Sequence, residues 1–230
     1  MCDCIVPFYN EGERVIFVVD ALSRVQLINK IICVDDGSTD HASEKLKKKF
    51  PKIILIRLPK NSGKSNAVFA GLRRVTSNTV LLFDGDLAGV QPEEIESACE
   101  RFPILSLDML ILKVSGEIRW KLMDELFRNY IVQSGMRILS ISDLREIEKL
   151  HPTGYQLEVA INQYMIDHGK SVAWTQISAI NPHKTTKFSW FGGWKRDIFM
   201  DREIMSYLGP INRLKQILFF CRQKIDTIRI

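Results

Sequence analysis

The stretch KIICVDDGSTD, residues 30–40, joins an apolar run to a cluster of acidic and hydroxyl side chains. The run is short and rich in β-branched residues, which is typical of a strand buried in a sheet. Similar apolar runs occur at residues 4–9, 52–58 and 78–84, and successive runs begin 22 to 26 residues apart. Each gap leaves room for one helix, so the pattern predicts βαβ units and a doubly wound, mostly parallel α/β sheet.

Polar residues follow each of these runs. Because the carboxyl ends of parallel strands lie along one edge of a sheet, and ligands of doubly wound sheets bind there, these residues predict a binding site. The segments expected at that edge are residues 9–11, 35–40, 60–64 and 84–86. Beyond them, the sequence predicts strands at residues 105–114 and 171–177, and a helix at residues 155–168 that ends at Gly169.

The length of 230 residues fits one large α/β domain, or one domain with a small addition. A hydrophobic content of 46% with 26% charged residues is typical of a folded globular protein and excludes the disordered and fibrous classes. No signal peptide and no run of 18 apolar residues is recognisable, which predicts a cytoplasmic location. Nothing in the sequence points to a nucleic-acid partner.

The sequence Gly63-Lys64-Ser65 raises the possibility of an NTPase. A phosphate-binding P-loop has the pattern G-x-x-x-x-G-K-[ST], in which the first glycine opens the turn around the phosphates. That position is occupied by Leu58. The missing glycine disfavours an NTPase, although the apolar run that ends at Asp84 resembles the strand that carries a metal-binding aspartate in such enzymes.

The motifs VPFYNE (6–11), VDDGSTD (34–40), NSGKSNAVFAG (61–71) and DGD (84–86) together resemble, in order and spacing, the signature of family 2 glycosyltransferases of GT-A fold. The segments SGMR (134–137) and GYQLE (154–158) resemble the corresponding segments of polyprenyl-phosphate sugar transferases and their stand-alone bacterial relatives. The resemblance covers about 180 residues. It implies a GT-A domain at residues 1–196, and the pattern of the remaining residues, 197–230, predicts a basic amphipathic helical tail outside the resemblance.

The resemblance implies a metal site at Asp84 and Asp86, which match the DxD motif that holds Mn²⁺ or Mg²⁺ between the two phosphates of the donor. A D-x-D string often occurs by chance in solvated turns, but its position after the fourth strand favours a metal site. His183 is the preferred third ligand, because late histidines complete the metal shell in several GT-A enzymes. A surface histidine in a basic loop is the alternative.

The resemblance also implies a site for a UDP- or GDP-linked sugar. Asp36 and Glu11 would form hydrogen bonds with the base and ribose, while Pro7 and Tyr9 would shape the slot for the base. Asp84 would divide its contacts between metal and ribose. Lys64 would offset phosphate charge, and its alternative role is that of an exposed lysine at the start of a helix.

Glu158 is the preferred catalytic base of an inverting transfer, with Asp86 as the firmer metal ligand. A glutamate that only complements the helix dipole is the alternative. If the acceptor is a lipid phosphate, no base is required, and Glu158 would orient the sugar. The residues expected near the acceptor are Arg137, Lys184, Lys187 and Trp190. The sequence departs from polyprenyl-phosphate mannosyltransferases at Ala88, where these enzymes usually carry glutamine.

The C-terminal part of the chain is basic. From residue 183 to residue 230 there are ten Lys or Arg and four Asp or Glu. Apolar residues recur at near-helical spacing, at Ile211, Leu214, Leu218, Cys221, Ile225 and Ile228. This stripe predicts a helix that lies on a membrane surface, on its own domain or on a second subunit.

These features and the resemblance together predict a glycosyltransferase, and the resemblance implies that it is metal-dependent and inverting, with a hexose as the expected sugar. A non-catalytic module that binds a nucleotide sugar or a membrane surface is the main alternative, and an NTPase is the second.

Overall fold

The structure, a computed structural model, describes residues 1–115, 134–154, 156–181 and 190–225. For residues 190–201 it describes the helical backbone and not the side chains.

Within these residues, eight strands form one sheet in the order β3-β2-β1-β4-β6-β5-β7-β8. The strands are β1 (Cys2–Phe8), β2 (Ile28–Asp35), β3 (Ile54–Arg57), β4 (Thr79–Leu82), β5 (Met109–Val114), β6 (Arg137–Ser140), β7 (Val172–Ile177) and β8 (Gln223–Lys224). Neighbouring strands run parallel except for β6, which lies antiparallel between β4 and β5. This is the mostly parallel sheet that the sequence predicts.

Seven helices accompany the sheet in the described part of the chain. They are α1 (Glu13–Leu22), α2 (Ala42–Lys49), α3 (Lys64–Leu72), α4 (Pro92–Ile104), α5 (Ile141–Glu148), α6 (Gln156–Asp167) and α7 (Trp190–Phe219). The alternation of strands and helices up to β5 confirms the predicted βαβ organisation. Strands β6 and β8 were not predicted, because each is short and neither has a continuous apolar run.

Two apolar layers cover the two faces of the sheet. One layer packs α1 and α4 against the strands, and the other packs α3, α5 and α6 against the opposite face. Gly71 allows α3 to approach the sheet closely, since a Cβ atom there would lie 2.7 Å from Ile5 Cγ2 and 3.1 Å from Val34 Cγ2. Gly71 therefore has a packing role between α3 and the sheet.

The last helix, α7, has a kink at Gly209, whose φ of 73° interrupts the helix just before Pro210. After the helix ends, the chain returns to the sheet, where β8 pairs in parallel with β7. Helix α7 crosses the predicted domain boundary at residue 196, and the division at that residue stays a prediction. None of the described helices is both long enough and apolar enough to cross a membrane.

Candidate active site

The loops that follow β1 and β2 are tied together by hydrogen bonds. The backbone N–H of Asn10 donates to Ser38 Oγ at 2.9 Å, and the backbone N–H of Thr39 donates to Asn10 Oδ1 at 2.8 Å. The N–H of Gly12 donates to Asp40 Oδ2 at 2.7 Å. These bonds build one connected edge at the carboxyl ends of the strands, which we call the rim. Asn10, Ser38 and Asp40 have this scaffolding role, which their presence in polar clusters did not reveal.

The buried carboxylate of Asp36 holds the loop that precedes α3. It accepts hydrogen bonds from the backbone N–H groups of Ser62 and Gly63, both at 2.8 Å. Gly37 is required beside it, because its φ is +79° and a Cβ would lie 2.6 Å from the backbone carbon of Lys60. Asp36 therefore places the start of α3, while its predicted contact with a nucleotide base remains a prediction.

Lys64, the first residue of α3, joins two of the predicted site carboxylates. Its Nζ lies 2.6 Å from Asp84 Oδ1 and 2.8 Å from Glu158 Oε1. Burial alone would lower the pKa of Lys64, but the charges of Asp84 and Glu158 outweigh burial and raise it above its usual value. The ammonium thus stays charged. One cation connects the DGD motif with the first turn of α6.

The backbone at Gly135 forms one wall of this ion-pair cluster. A Cβ atom at this position would lie 2.2 Å from Lys64 Nζ and 2.6 Å from both carboxylate oxygens of Asp84. A side chain at this position would have to push the ends of the Lys64 and Asp84 side chains aside. The glycine of the SGMR segment therefore has a steric role at the centre of the site.

Asp86 lies next to these groups, and its carboxylate is positioned by Asn181. The amide nitrogen of Asn181 donates to Asp86 Oδ2 at 3.1 Å. A two-residue antiparallel bridge, with N–H to O distances of 2.9 Å in both directions between Ala88 and Ile180, brings Asn181 to this place. Burial raises the pKa of Asp86, and the negative charges of Asp84 and Glu11 raise it further. A bound cation would relieve this repulsion.

Pro7, Tyr9 and Glu11 lie at the end of β1 and in the loop after it. Pro7 is buried, and its carbonyl oxygen would lie 3.2 Å from a Cβ at Gly85, so β1 closely approaches the DGD turn. Tyr9 is exposed. Glu11 Oε2 lies 2.6 Å from Arg14 Nη2. The structure thus brings these predicted nucleotide residues to the rim.

Arg137, which we expected near the acceptor, is completely buried behind the site. Its guanidinium donates to the backbone oxygen of Ser134 at 2.8 Å, to that of Glu158 at 3.2 Å and to Asn162 Oδ1 at 2.5 Å. Burial lowers its pKa to about 10, although the charge of Glu158 opposes this effect. This position suits an arginine that fixes the first turn of α6, and its contact with an acceptor stays an untested prediction.

The side chains of four other predicted site residues lie outside the part of the chain that the structure describes. His183, Lys184 and Lys187 lie outside the described residues, and Trp190 is described only as the first residue of α7. The predicted roles of these residues in metal and acceptor binding therefore stay predictions.

Asp84 and Asp86 fit a divalent cation through their chemistry, since carboxylate oxygens are the ligands that Mg²⁺ and Mn²⁺ prefer. Among the described residues, no group of three His, Cys, Asp or Glu side chains is arranged to hold a metal ion. The two aspartates would thus need further ligands from substrate phosphates, from water or from a residue outside the described part of the chain, such as the predicted ligand His183.

The fold and the rim define a class of protein, the GT-A type of α/β domain. Residues 3–114 match the model of glycosyl transferase family 2. This segment, a little under half of the chain, therefore matches family 2 glycosyltransferases, as its motifs predict. In this domain Lys64 is held between two carboxylates.

Curated relatives agree with this assignment. The chain is 31% identical over 132 residues to undecaprenyl-phosphate 4-deoxy-4-formamido-L-arabinose transferase of Yersinia enterocolitica. This match covers 54% of the chain and 38% of the relative. It is 37% identical over 87 residues to the Escherichia coli (strain K12) protein called uncharacterized glycosyltransferase YaiP, which covers 36% of the chain and 22% of the relative. The chain thus spans well under half the length of these relatives. The expected resemblance to polyprenyl-phosphate sugar transferases is confirmed.

Solved structures share the fold. Glucosyl-3-phosphoglycerate synthase from Mycobacterium tuberculosis, in complex with Mn²⁺, uridine diphosphate and glucosyl-3-phosphoglycerate, superimposes with a TM-score of 0.69 at 17% identity. This match covers 92% of the chain and 79% of the synthase. A complex of the same enzyme with Mg²⁺ and uridine diphosphate has a TM-score of 0.68 at 18% identity, and covers 92% and 78%. The predicted GT-A fold is confirmed.

The wall formed by Gly135 leads to a first testable prediction. Gly135→Ala would force the side chain of Lys64 away from Asp84, so we expect roughly tenfold slower release of nucleoside diphosphate from a sugar donor. The end of a lysine is flexible, so the free energy of unfolding should fall by only about 1 kcal/mol. Gly89→Ala is the control, because a Cβ there meets no atom within 4 Å, although its φ of +69° adds backbone strain. Equal rates for the two variants would contradict the role of Gly135.

Proposed function

We propose that the chain transfers a sugar from a nucleotide-diphosphate sugar to a lipid phosphate, with inversion and with the help of Mn²⁺ or Mg²⁺. The observation that carries the proposal is the ion-pair cluster at the rim, in which Lys64 contacts both Asp84 of the DGD motif and Glu158 of α6. This cluster combines a carboxylate suited to a cation, a fixed positive charge and a carboxylate suited to a sugar.

Each residue of the cluster has a physical task in this proposal. Asp84 and Asp86 would hold the cation, which supplies positive charge to the departing diphosphate. Lys64 adds a second positive charge at the same place, and its two carboxylate partners prevent it from swinging into solvent. Asn181 holds the carboxylate of Asp86 in one orientation. Preorganised charge of this kind stabilises a transition state without having to rearrange.

The proposed acceptor determines the task of Glu158. A lipid phosphate attacks through an oxygen that is already anionic, so no general base has to remove a proton. Glu158 would then accept hydrogen bonds from sugar hydroxyls and orient the donor. The support for this acceptor is the similarity to undecaprenyl-phosphate transferases. A hexose as the sugar and a cytoplasmic location remain further parts of the proposal.

Donor binding can be tested by thermal denaturation with UDP-, GDP- and ADP-sugars, each with and without Mn²⁺. A donor at about one hundred times its dissociation constant adds about 2.7 kcal/mol to the free energy of unfolding. For a chain of this size we expect the melting temperature to rise by roughly 5 to 10 °C, and only when Mn²⁺ is present. If no donor raises it under either condition, the nucleotide-sugar site is contradicted.

A non-catalytic binding module would behave differently in a second measurement. It would bind a donor but release no UDP or GDP when undecaprenyl phosphate is added. Release that depends on the acceptor supports transfer.

A further inference from the structure

The second half of α7, after its kink at Gly209, has its polar and apolar residues on unexpected sides. The side chains of Arg213 and Gln216 are buried in the protein. Gln216 donates to the backbone oxygen of Val159 at 3.1 Å, which attaches the helix to α6 through polar contacts. The opposite side of the helix faces away from the domain and takes no part in this attachment.

That outer side is apolar. Ile211, Leu214, Leu218 and Phe219 are all exposed, and their spacing places them along one side of the helix. We call these four side chains the exposed apolar face. A helix that only packs on its own domain would bury such residues and expose the polar ones. The sequence stripe did predict apolar residues at three of these positions, but Cys221 and Ile225 of that stripe are buried.

The charged residues of the chain segment that carries the exposed apolar face have one sign. Residues 204–225 contain no Asp or Glu and four Lys or Arg, of which Arg213 is buried and the other three are exposed. Lys215 is exposed between the apolar side chains, and Arg222 is exposed just beyond the end of the helix. An exposed apolar row with basic neighbours and no acidic ones is complementary to a surface that combines hydrocarbon with negative charge.

We propose that the exposed apolar face lies on the surface of an anionic lipid bilayer, parallel to the membrane and without crossing it. The apolar side chains enter the boundary between headgroups and acyl chains, and Lys215 and Arg222 contact lipid phosphates. The proposal does not depend on the proposed sugar transfer, because the surface and its charge are properties of the folded chain alone.

Flotation with lipid vesicles tests the proposal without any sugar donor. The chain should float with vesicles of phosphatidylcholine and phosphatidylglycerol, and much less with pure phosphatidylcholine, and added salt should weaken its binding. Ile211→Ser should weaken binding about tenfold, because one large apolar side chain no longer enters the bilayer. Ile104→Ser is a matched control, since Ile104 in α4 is exposed by 75% and Ile211 by 70%. The control should bind like the unchanged chain.

A variant that removes one positive charge separates the electrostatic contribution to vesicle binding from the apolar contribution. Lys215→Gln should lower binding to anionic vesicles about fivefold and leave binding to neutral vesicles unchanged. Lys48→Gln is the matched control, because Lys48 is exposed in α2, and it should have no effect on binding. Unchanged melting temperatures would show that all four variants are folded.

Three results would overturn the proposal. The first is that the chain does not float with anionic vesicles. The second is that Ile211→Ser and Ile104→Ser weaken vesicle binding equally. The third is that the chain forms a dimer in size-exclusion chromatography and that Ile211→Ser dissociates this dimer. The last result would assign the face to a second copy of the chain.

Discussion

Asp86→Asn is expected to slow sugar transfer by roughly a hundredfold to a thousandfold, because it removes the negative charge from the firmer of the two proposed metal ligands. The amide has nearly the same shape as the carboxylate, so the effect would come from charge. The measurement is the rate of nucleoside diphosphate release at saturating donor with Mn²⁺. The rise in melting temperature that Mn²⁺ and donor produce should disappear in the same variant.

In the absence of metal, Asp86→Asn should not lower the stability of the fold, although it lowers the rate of transfer. The pKa of Asp86 is raised by burial and by its carboxylate neighbours, so the folded state favours the protonated form. Its contribution to stability is present below the usual pKa of aspartate and is lost as the pH rises through the raised value. At neutral pH the charged group therefore destabilises the fold. Without metal, Asp86→Asn should melt at the same temperature as the unchanged chain or higher.

Asp167→Asn is a suitable control for this variant, because Asp167 is exposed at the end of α6 and forms a hydrogen bond with Gln163. It should leave both the rate and the metal-dependent shift unchanged. If Asp86→Asn retained most of the activity, the proposed metal site at the DGD motif would be wrong.

Arg137→Met is expected to give the largest loss of stability, about 3 kcal/mol. Methionine keeps much of the volume but cannot donate to the backbone oxygens of Ser134 and Glu158 or to Asn162, and these acceptors would remain buried. Removing a buried charge offsets part of this cost, because burial already disfavours the charged form of Arg137. Thermal denaturation should show a melting temperature lower by about 10 °C.

Two further variants make this prediction specific. Arg73→Met is the control, since Arg73 is exposed and its contact with Glu148 is 3.7 Å long, so it should change stability by less than about 0.5 kcal/mol. Arg137→Lys keeps the charge but lacks the planar fork of donors. Its stability should therefore lie between that of Arg137→Met and that of Arg73→Met. Wild-type stability of Arg137→Met would show that the buried hydrogen bonds contribute little.

Six of the eight described strands could be predicted from the sequence because each of them is a short apolar run. The two strands that escaped prediction are β6, which begins with the buried Arg137, and the two-residue β8. Both depend on partners far away in the chain, and local sequence contains no sign of those partners. Tertiary context therefore outweighed local propensity at these strands.

The candidate site was predicted in part. The motifs indicated that Asp84, Asp86, Lys64 and Glu158 belong together, but not that Lys64 would bridge two of these carboxylates. Asn181 was passed over because an asparagine before a proline is an ordinary turn signal. Its contact with Asp86 depends on the bridge between Ala88 and Ile180, residues that are 92 positions apart.

The sequence alone determined the order of the strands along the chain, the motifs at their ends and the resemblance to family 2 glycosyltransferases, since apolar periodicity and motif spacing are local properties. Only the tertiary structure decided that Arg137 supports α6 from inside the protein and that α7 exposes its apolar side after the kink. Whether a side chain is buried depends on which distant segments pack around it. A polar side chain can be buried where these segments supply hydrogen-bond partners for it.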